Sequence, residues 1–294
     1  EYTFSNMIRH YGGIPYVYHI YDLLSAYTYV KDLEPKDYSD RNDGIQQKMI
    51  KSSEEKIVKD ALLLYAVSDN LCEYYLERYQ RRPKLFPNGV SENYFEDNVI
   101  KCQNIEILKK LESIRTKKIA YAGSIIGSLN LDIVMEAARN LKDYSFIFIG
   151  EIRYTGITEY DKKTNDLFTI DNIYHIESVS IDDLPDILRQ MDILLFLYSQ
   201  DKDIWTYYSF PAKLFEYFAI GLPIISTPHP VINNYQEYIS IVDDADQLIS
   251  AILLNTSGEI QHNSYKMRRL AKDNSWTRRK GELVNDLRIA LSEL

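Results

Sequence analysis

Residues 207–227 read Tyr-Tyr-Ser-Phe-Pro-Ala-Lys-Leu-Phe-Glu-Tyr-Phe-Ala-Ile-Gly-Leu-Pro-Ile-Ile-Ser-Thr. The order is loop, helix, tight turn, strand. Ser209 offers an N-cap, and Pro211 suits a first helical turn, where a missing N–H costs nothing. Gly221 suits the position just past the helix, and Pro223 stops its continuation. Residues 224–227 then form a short β-rich run of the kind buried in parallel sheets. At 100° per residue, Ser209, Lys213 and Glu216 fall within about 60° of one another, with Leu214 and Phe218 opposite them. Lys213 falls in the expected first turn, where the helix dipole disfavours a bare ammonium and a bound anion would reverse that penalty. A surface Lys–Glu pair at i, i+3, worth ~0.3 kcal/mol, accounts for the same residues without any ligand.

The pattern extends outward on both sides. Strands are expected at 119–123, 146–149, 172–176, 193–198, 223–227 and 239–242, with helices at 131–141, 181–189 and 245–254. Strand–helix alternation implies a parallel sheet covered on both faces, with ligands beyond the strand C-termini. The sequence places Gly123-Ser124, Gly150-Glu151, Glu177, Ser199 and the start of the 209–216 helix at those ends. Gly123 either lets the backbone approach a ligand or simply ends a strand. Tyr207 and Tyr208 suit stacking on a sugar or packing of an apolar loop.

Upstream, residues 14–20 read as a strand ending at Tyr21-Asp22. Asp22 suits contact with an acceptor hydroxyl or capping of the next turn. A polar loop at 31–44 precedes an amphipathic helix at 45–60, whose buried side is marked by Ile45, Met49, Ile57 and the following Ala61. A strand at 62–67 and a helix from Ser68 to Tyr79 follow. Residues 84–90 form a strand running into an Asn88-Gly89 turn, and 91–116 a linker with a helix around 105–114. A closing amphipathic helix carries Trp276, Leu283, Leu287 and Leu291. The expected domains are 1–100, 101–275 and a terminal helix at 276–294.

With 34 basic and 43 acidic residues, the net charge is −9, which argues against a general nucleic-acid binder. Cys72 and Cys102 form neither metal-ligand spacing nor a disulfide framework, which points to a reducing cytoplasm. No apolar run approaches the roughly 18 residues of a spanning helix. His10, His19, His175, His229 and His262 form no metal-ligand cluster, and Asp201 and Asp203 have carboxylate spacing within a polar loop. No metal site and no organic cofactor are expected.

Pro211-Ala-Lys213-Leu-Phe-Glu216-Tyr217-Phe-Ala-Ile-Gly221-Leu-Pro223 resembles the donor-site helix of retaining GT-B glycosyltransferases (group 1, family 4-like), closest to the bacterial surface-polysaccharide branch. Pro87-Asn-Gly-Val90 is similar to the signature that ends the first domain in that family. The resemblance implies a GT-B-like α/β fold, with a Rossmann-like parallel-sheet C-terminal domain and an incomplete Rossmann-like N-terminal domain. It implies that Glu216 holds the ribose hydroxyls of a nucleotide diphospho-sugar and that Lys213 faces the diphosphate. Gly123, Ser124, Arg153, Glu177, Tyr208 and Ser209 are the remaining donor-side candidates. A glycan or lipid-linked acceptor, retention of configuration, no catalytic metal, and a cytoplasmic protein with room for peripheral association at the inner membrane face also follow from the resemblance.

The chain departs from the family in four places. Ser124 stands where many relatives carry arginine, Tyr21 where many carry a functional histidine, and Tyr208 where the first of two paired glutamates falls. Ser128-Leu129-Asn130 supplies no lysine to the following loop. Two rivals stay open: a nucleotide-sugar epimerase, which shares the architecture, and a non-catalytic subunit of a glycan pathway, which the departures at Ser124, Tyr21 and Tyr208 keep open. With three strands before residue 100, the chain also reads as a fragment that binds a nucleotide sugar weakly and transfers none.

Overall fold

A computed structural model of the chain describes residues 14–22, 43–96, 102–127, 129–199, 207–258 and 263–294. Packing divides the chain into two units: Glu1–Asn88 with Asp203–Phe210 and Thr277–Leu294, and Gly89–Lys202 with Pro211–Trp276. The polar loop at 31–42, Ser128, Asp201, Asp203, His10 and His262 lie outside the described residues, as do the side chains of Ile45 and Met49.

In the first unit, β1 (Val17–Ile20), β2 (Leu63–Ala66) and β3 (Lys84–Leu85) form a parallel sheet in that order. Helix Asp43–Asp60 precedes β2, and helix Asp69–Tyr79 connects β2 to β3. Ser68 caps the second helix by accepting from the Leu71 amide at 3.3 Å. At its other end Gln80 adopts φ 56°, and its amide returns to the Leu76 carbonyl. Arg81 closes the preceding helix by donating to the carbonyls of Lys59 at 2.9 Å and Ala61 at 2.5 Å. Glu54 is wholly buried and accepts from the hydroxyls of Tyr75 and Tyr79, so its polar atoms are satisfied inside the core. The terminal helix Trp276–Ser292 contributes Asp286, whose Oδ2 accepts from Tyr65 at 2.7 Å and Lys84 at 2.6 Å.

The second unit is built on six parallel strands: β4 (Lys117–Ala122), β5 (Tyr144–Ile149), β6 (Ile173–Ile176), β7 (Ile193–Phe196), β8 (Ile224–Ser226) and β9 (Ile239–Ile241). Their order is β6-β5-β4-β7-β8-β9. Counted from β4 this is 3-2-1-4-5-6, so the order reverses between β4 and β7 and opens a crevice beyond their C-termini. Apolar runs such as Ile193–Phe196 are buried along their whole length, as a strand covered on both faces requires. Ile119, Val134, Phe146, Phe148, Leu195 and Leu248 share one core.

Several boundaries differ from expectation. The helix expected at 181–189 shrinks to Leu184–Leu188, because residues 181–183 form a turn. Helices Thr158–Leu167 and Ser264–Asp273 were not anticipated. The first buries only Thr164 and Leu167 and the second only Met267 and Ala271, so neither carries a broad apolar stripe. The boundary expected near residue 100 falls among residues 97–101, outside the described residues. By packing, the chain enters the second unit at Gly89, where Val90 pairs in parallel with Ser275. Among the described residues, no helix is long and apolar enough to cross a membrane.

Candidate nucleotide site

The crevice floor begins where β4 ends. Gly123 has φ 151°, and its amide donates to the Ile149 carbonyl at 2.8 Å. The Ile125 amide donates to Glu151 at 2.8 Å, so the loops after β4 and β5 are zipped together. Beneath them the half-buried Tyr121 donates through its hydroxyl to the Ser124 carbonyl at 3.1 Å. A Cβ on Gly123 would lie 2.9 Å from the Lys213 ammonium and 3.0 Å from the Tyr121 hydroxyl. The missing side chain thus makes room for a cation at the order reversal, from a residue far along the chain.

Lys213 is held there by a short turn. The helix is Leu214–Ile220, with Lys213 at the N-cap, and the Leu214 amide donates to the Pro211 carbonyl at 2.9 Å. The expected Ser209 cap is therefore corrected: Pro211, Ala212 and Lys213 form the turn, and Ser209 belongs to the first unit. The helix still ends as its sequence requires, with Gly221 at φ 78° and its amide on the Tyr217 carbonyl. Leu214 and Phe218 are wholly buried, leaving Lys213 and Glu216 on the partly open side.

Burial pulls the Lys213 ammonium below its ordinary 10.5, and Glu216 opposes that pull. Burial likewise raises the Glu216 carboxyl above 4.5, opposed first by Lys213 and then by Tyr94. Two desolvated, opposite charges one helical turn apart form a site that a ligand with both an anion and a diol would satisfy. Tyr94 is fully buried on a segment that packs on this helix, and its hydroxyl feels the Glu216 carboxylate without making a full hydrogen bond.

The other candidates fall in different places. Ser124 lies in the loop beside Gly123 and accepts through its carbonyl from Tyr121. Arg153 is exposed and its Nε is paired with Glu151 at 2.6 Å, as a solvated loop arginine would be. Glu177 follows β6, with its side chain 86% exposed and 3.8 Å from the His175 Nδ1. Tyr208 and Ser209 lie in the first unit. There Ser68 donates to the Tyr208 carbonyl at 2.5 Å, and Tyr74 packs edge-on to Tyr208 at 5.4 Å between centroids. Asp22, also in that unit, follows β1, and burial raises its carboxyl. Tyr94 and Tyr121 lie beside these candidates without having been nominated from the sequence, whereas His229 packs away from them. His229 is buried after β8, its ring tilted against Tyr198 at 4.3 Å between centroids, with its Nδ1 accepting from the Val231 amide at 3.1 Å. Nothing in the local sequence marked Tyr94, because the group it faces, Glu216, is far along the chain. No group of three His, Cys, Asp or Glu side chains able to hold a metal occurs among the described residues.

Residues 116–254, which carry all six strands of the second unit, match the family described as glycosyl transferases group 1. Within this stretch the chain is therefore similar to group 1 glycosyl transferases, and its α/β fold is GT-B-like. Over 239 residues it is 26% identical to TuaH of Bacillus subtilis (strain 168), named as a teichuronic acid biosynthesis glycosyltransferase. That match takes in 79% of this chain and 58% of TuaH, so the chain spans little more than half of that relative. The crystal structure of Anabaena HepE in complex with UDP-glucose matches at a TM-score of 0.69 and 14% identity, covering 100% of this chain and 76% of HepE. WaaG, a glycosyltransferase involved in lipopolysaccharide biosynthesis, matches at 0.58 and 15% identity, covering 92% of this chain and 75% of WaaG.

Proposed function

We propose that the chain belongs to a glycosyltransferase that moves a sugar from a nucleotide diphospho-sugar to a glycan or lipid-linked acceptor in cell-envelope polysaccharide synthesis. The observation that carries this reading is the seat of the Lys213 ammonium beside Gly123, at the strand-order reversal. Cleavage of the bond between the anomeric carbon and the diphosphate oxygen builds negative charge on the departing diphosphate. A cation already withdrawn from bulk water stabilises that charge more strongly than one in solution. Glu216 would accept hydrogen bonds from the ribose hydroxyls, orienting the nucleotide so that its diphosphate reaches Lys213. HepE, which shares the fold, has been crystallised with UDP and with UDP-glucose. The name of TuaH supports an envelope polysaccharide as the acceptor class.

Retention of anomeric configuration, donor binding without a divalent metal, and action at the cytoplasmic face of the membrane belong to the same reading. Calorimetric titration of the chain with UDP, GDP and ADP, each beside its nucleoside, tests it. One diphosphate should bind, and far more tightly than its nucleoside. Binding of none of them, or equal binding of nucleoside and diphosphate, would reject the donor site. Loss of binding in EDTA, restored by Mn²⁺ or Mg²⁺, would reject metal independence.

A further inference from the structure

Tyr94 lies in the single-turn 3-10 helix Glu92–Phe95, which packs on helix Leu214–Ile220. Its side chain is wholly buried, and its hydroxyl oxygen makes no hydrogen bond of full geometry with a described residue. A buried hydroxyl left in that condition costs about 1–3 kcal/mol, so its presence calls for a physical reason. Anchoring of the segment is not the reason. Arg189 Nη2 donates to the Tyr94 carbonyl at 2.9 Å, Asp186 holds Arg189 at 2.7 Å, and Asp186 also accepts from the Cys102 amide at 2.8 Å. The backbone is thus fixed without the phenol oxygen. The polar group which that oxygen faces is the Glu216 carboxylate.

We propose that Tyr94 is the positioning residue for Glu216: its hydroxyl donates to one carboxylate oxygen and fixes the other towards the vicinal diol of the ligand. The proposal rests on the reading of Glu216 as the ribose acceptor. The groups facing the carboxylate are Lys213 and Tyr217 on its own segment and Tyr94 from the 3-10 helix, while Arg189 acts on Tyr94. Removing the hydroxyl takes away a donor that favours the ionised carboxyl, so the carboxyl takes up its proton at a higher pH.

The test compares wild type, Tyr94→Phe and Glu216→Gln in the full chain. The ligands are the tightest binder among UDP, GDP and ADP and its 2′,3′-dideoxy analogue, titrated from mildly acidic to mildly alkaline pH. Wild type should prefer the ribose form by about tenfold or more, the worth of one charge-assisted hydrogen bond. Tyr94→Phe should reduce that preference to about threefold or less, leave the dideoxy affinity unchanged, and lose the remainder at a higher pH than wild type. Preference kept in Tyr94→Phe but lost in Glu216→Gln overturns the positioning role and leaves the ribose reading standing. Preference kept in both variants overturns the ribose reading and this proposal with it. Equal weakening of both nucleotides in Tyr94→Phe would assign the tyrosine to packing and also overturn the proposal.

Discussion

A Cβ on Gly150 would lie 2.1 Å from the carbonyl oxygen of Gly123. The two strand-end glycines therefore touch backbone to backbone, and Gly150 also has φ 140°, which side chains rarely adopt. Gly150→Ala should destabilise the second unit by about 2–5 kcal/mol, from strain together with overlap against an immovable carbonyl. Urea unfolding followed by tryptophan fluorescence checks this, and a midpoint unchanged from wild type would refute it.

Lys213→Ala should weaken a nucleoside diphosphate by about 1.5–3 kcal/mol and leave the bare nucleoside nearly unaffected. Because burial depresses the ammonium, wild-type diphosphate affinity should begin to fall below pH 10.5, as the cation is lost. A bound phosphate favours the charged form, so binding in that range should take up a proton. Titration in two buffers of different ionisation heat measures the uptake. An affinity that stays flat through the alkaline range would contradict the assignment.

Asp286→Asn should loosen the terminal helix from the first sheet. Burial alone would raise this carboxyl, but hydrogen bonds from Lys84 and Tyr65 outweigh it and hold the group below its ordinary 3.8. The stability it contributes is thus present above the unfolded value and lost as pH falls through the folded one. Lys84 is 55% exposed and adds little, so the loss at neutral pH should be about 1–2 kcal/mol, mainly from the Tyr65 bond. Hydrogen exchange along residues 277–292 should rise in the variant, and unchanged protection would count against the contact.

His229 makes an acid dependence of the same sign in a higher pH window. Burial lowers its imidazole from 6.5 to about 4, and its Nδ1 accepts from an amide, so the folded state keeps it neutral. An unfolded chain takes up the proton near 6.5. Its contribution is therefore full above that value and declines as pH falls to about 4, by on the order of 3 kcal/mol. His229→Asn keeps an acceptor for the Val231 amide and should flatten this slope. Parallel pH–stability curves for the two proteins would exclude His229 as its source.

Elements whose apolar pattern matched their burial were readable in the sequence. Ile193–Phe196 and Leu131–Asn140 announce themselves as a fully covered strand and an amphipathic helix, and Ser68 as a cap. Helix Thr158–Leu167, with two buried residues, did not. Lys213 and Glu216 could be paired from helical spacing alone, although the cap assigned to Ser209 was wrong, because the segment before Pro211 belongs to another packing unit. Gly123 was nominated for its strand end, but only the strand order brings it to Lys213. Tyr94 carried no local signal, since a tyrosine after a turn is indistinguishable from any other until the helix it faces is known.

The chain passes between its two units at Asn88–Gly89, Lys202–Asp203, Phe210–Pro211 and Trp276–Thr277. A body threaded in this way does not come apart at a single protease nick, nor is either half obtained by truncating the gene at one codon. Isolating the second unit calls for a synthetic bridge from Lys202 to Pro211. The same threading bears on recombination between related genes. One crossover within this region would splice mismatched parts of both units.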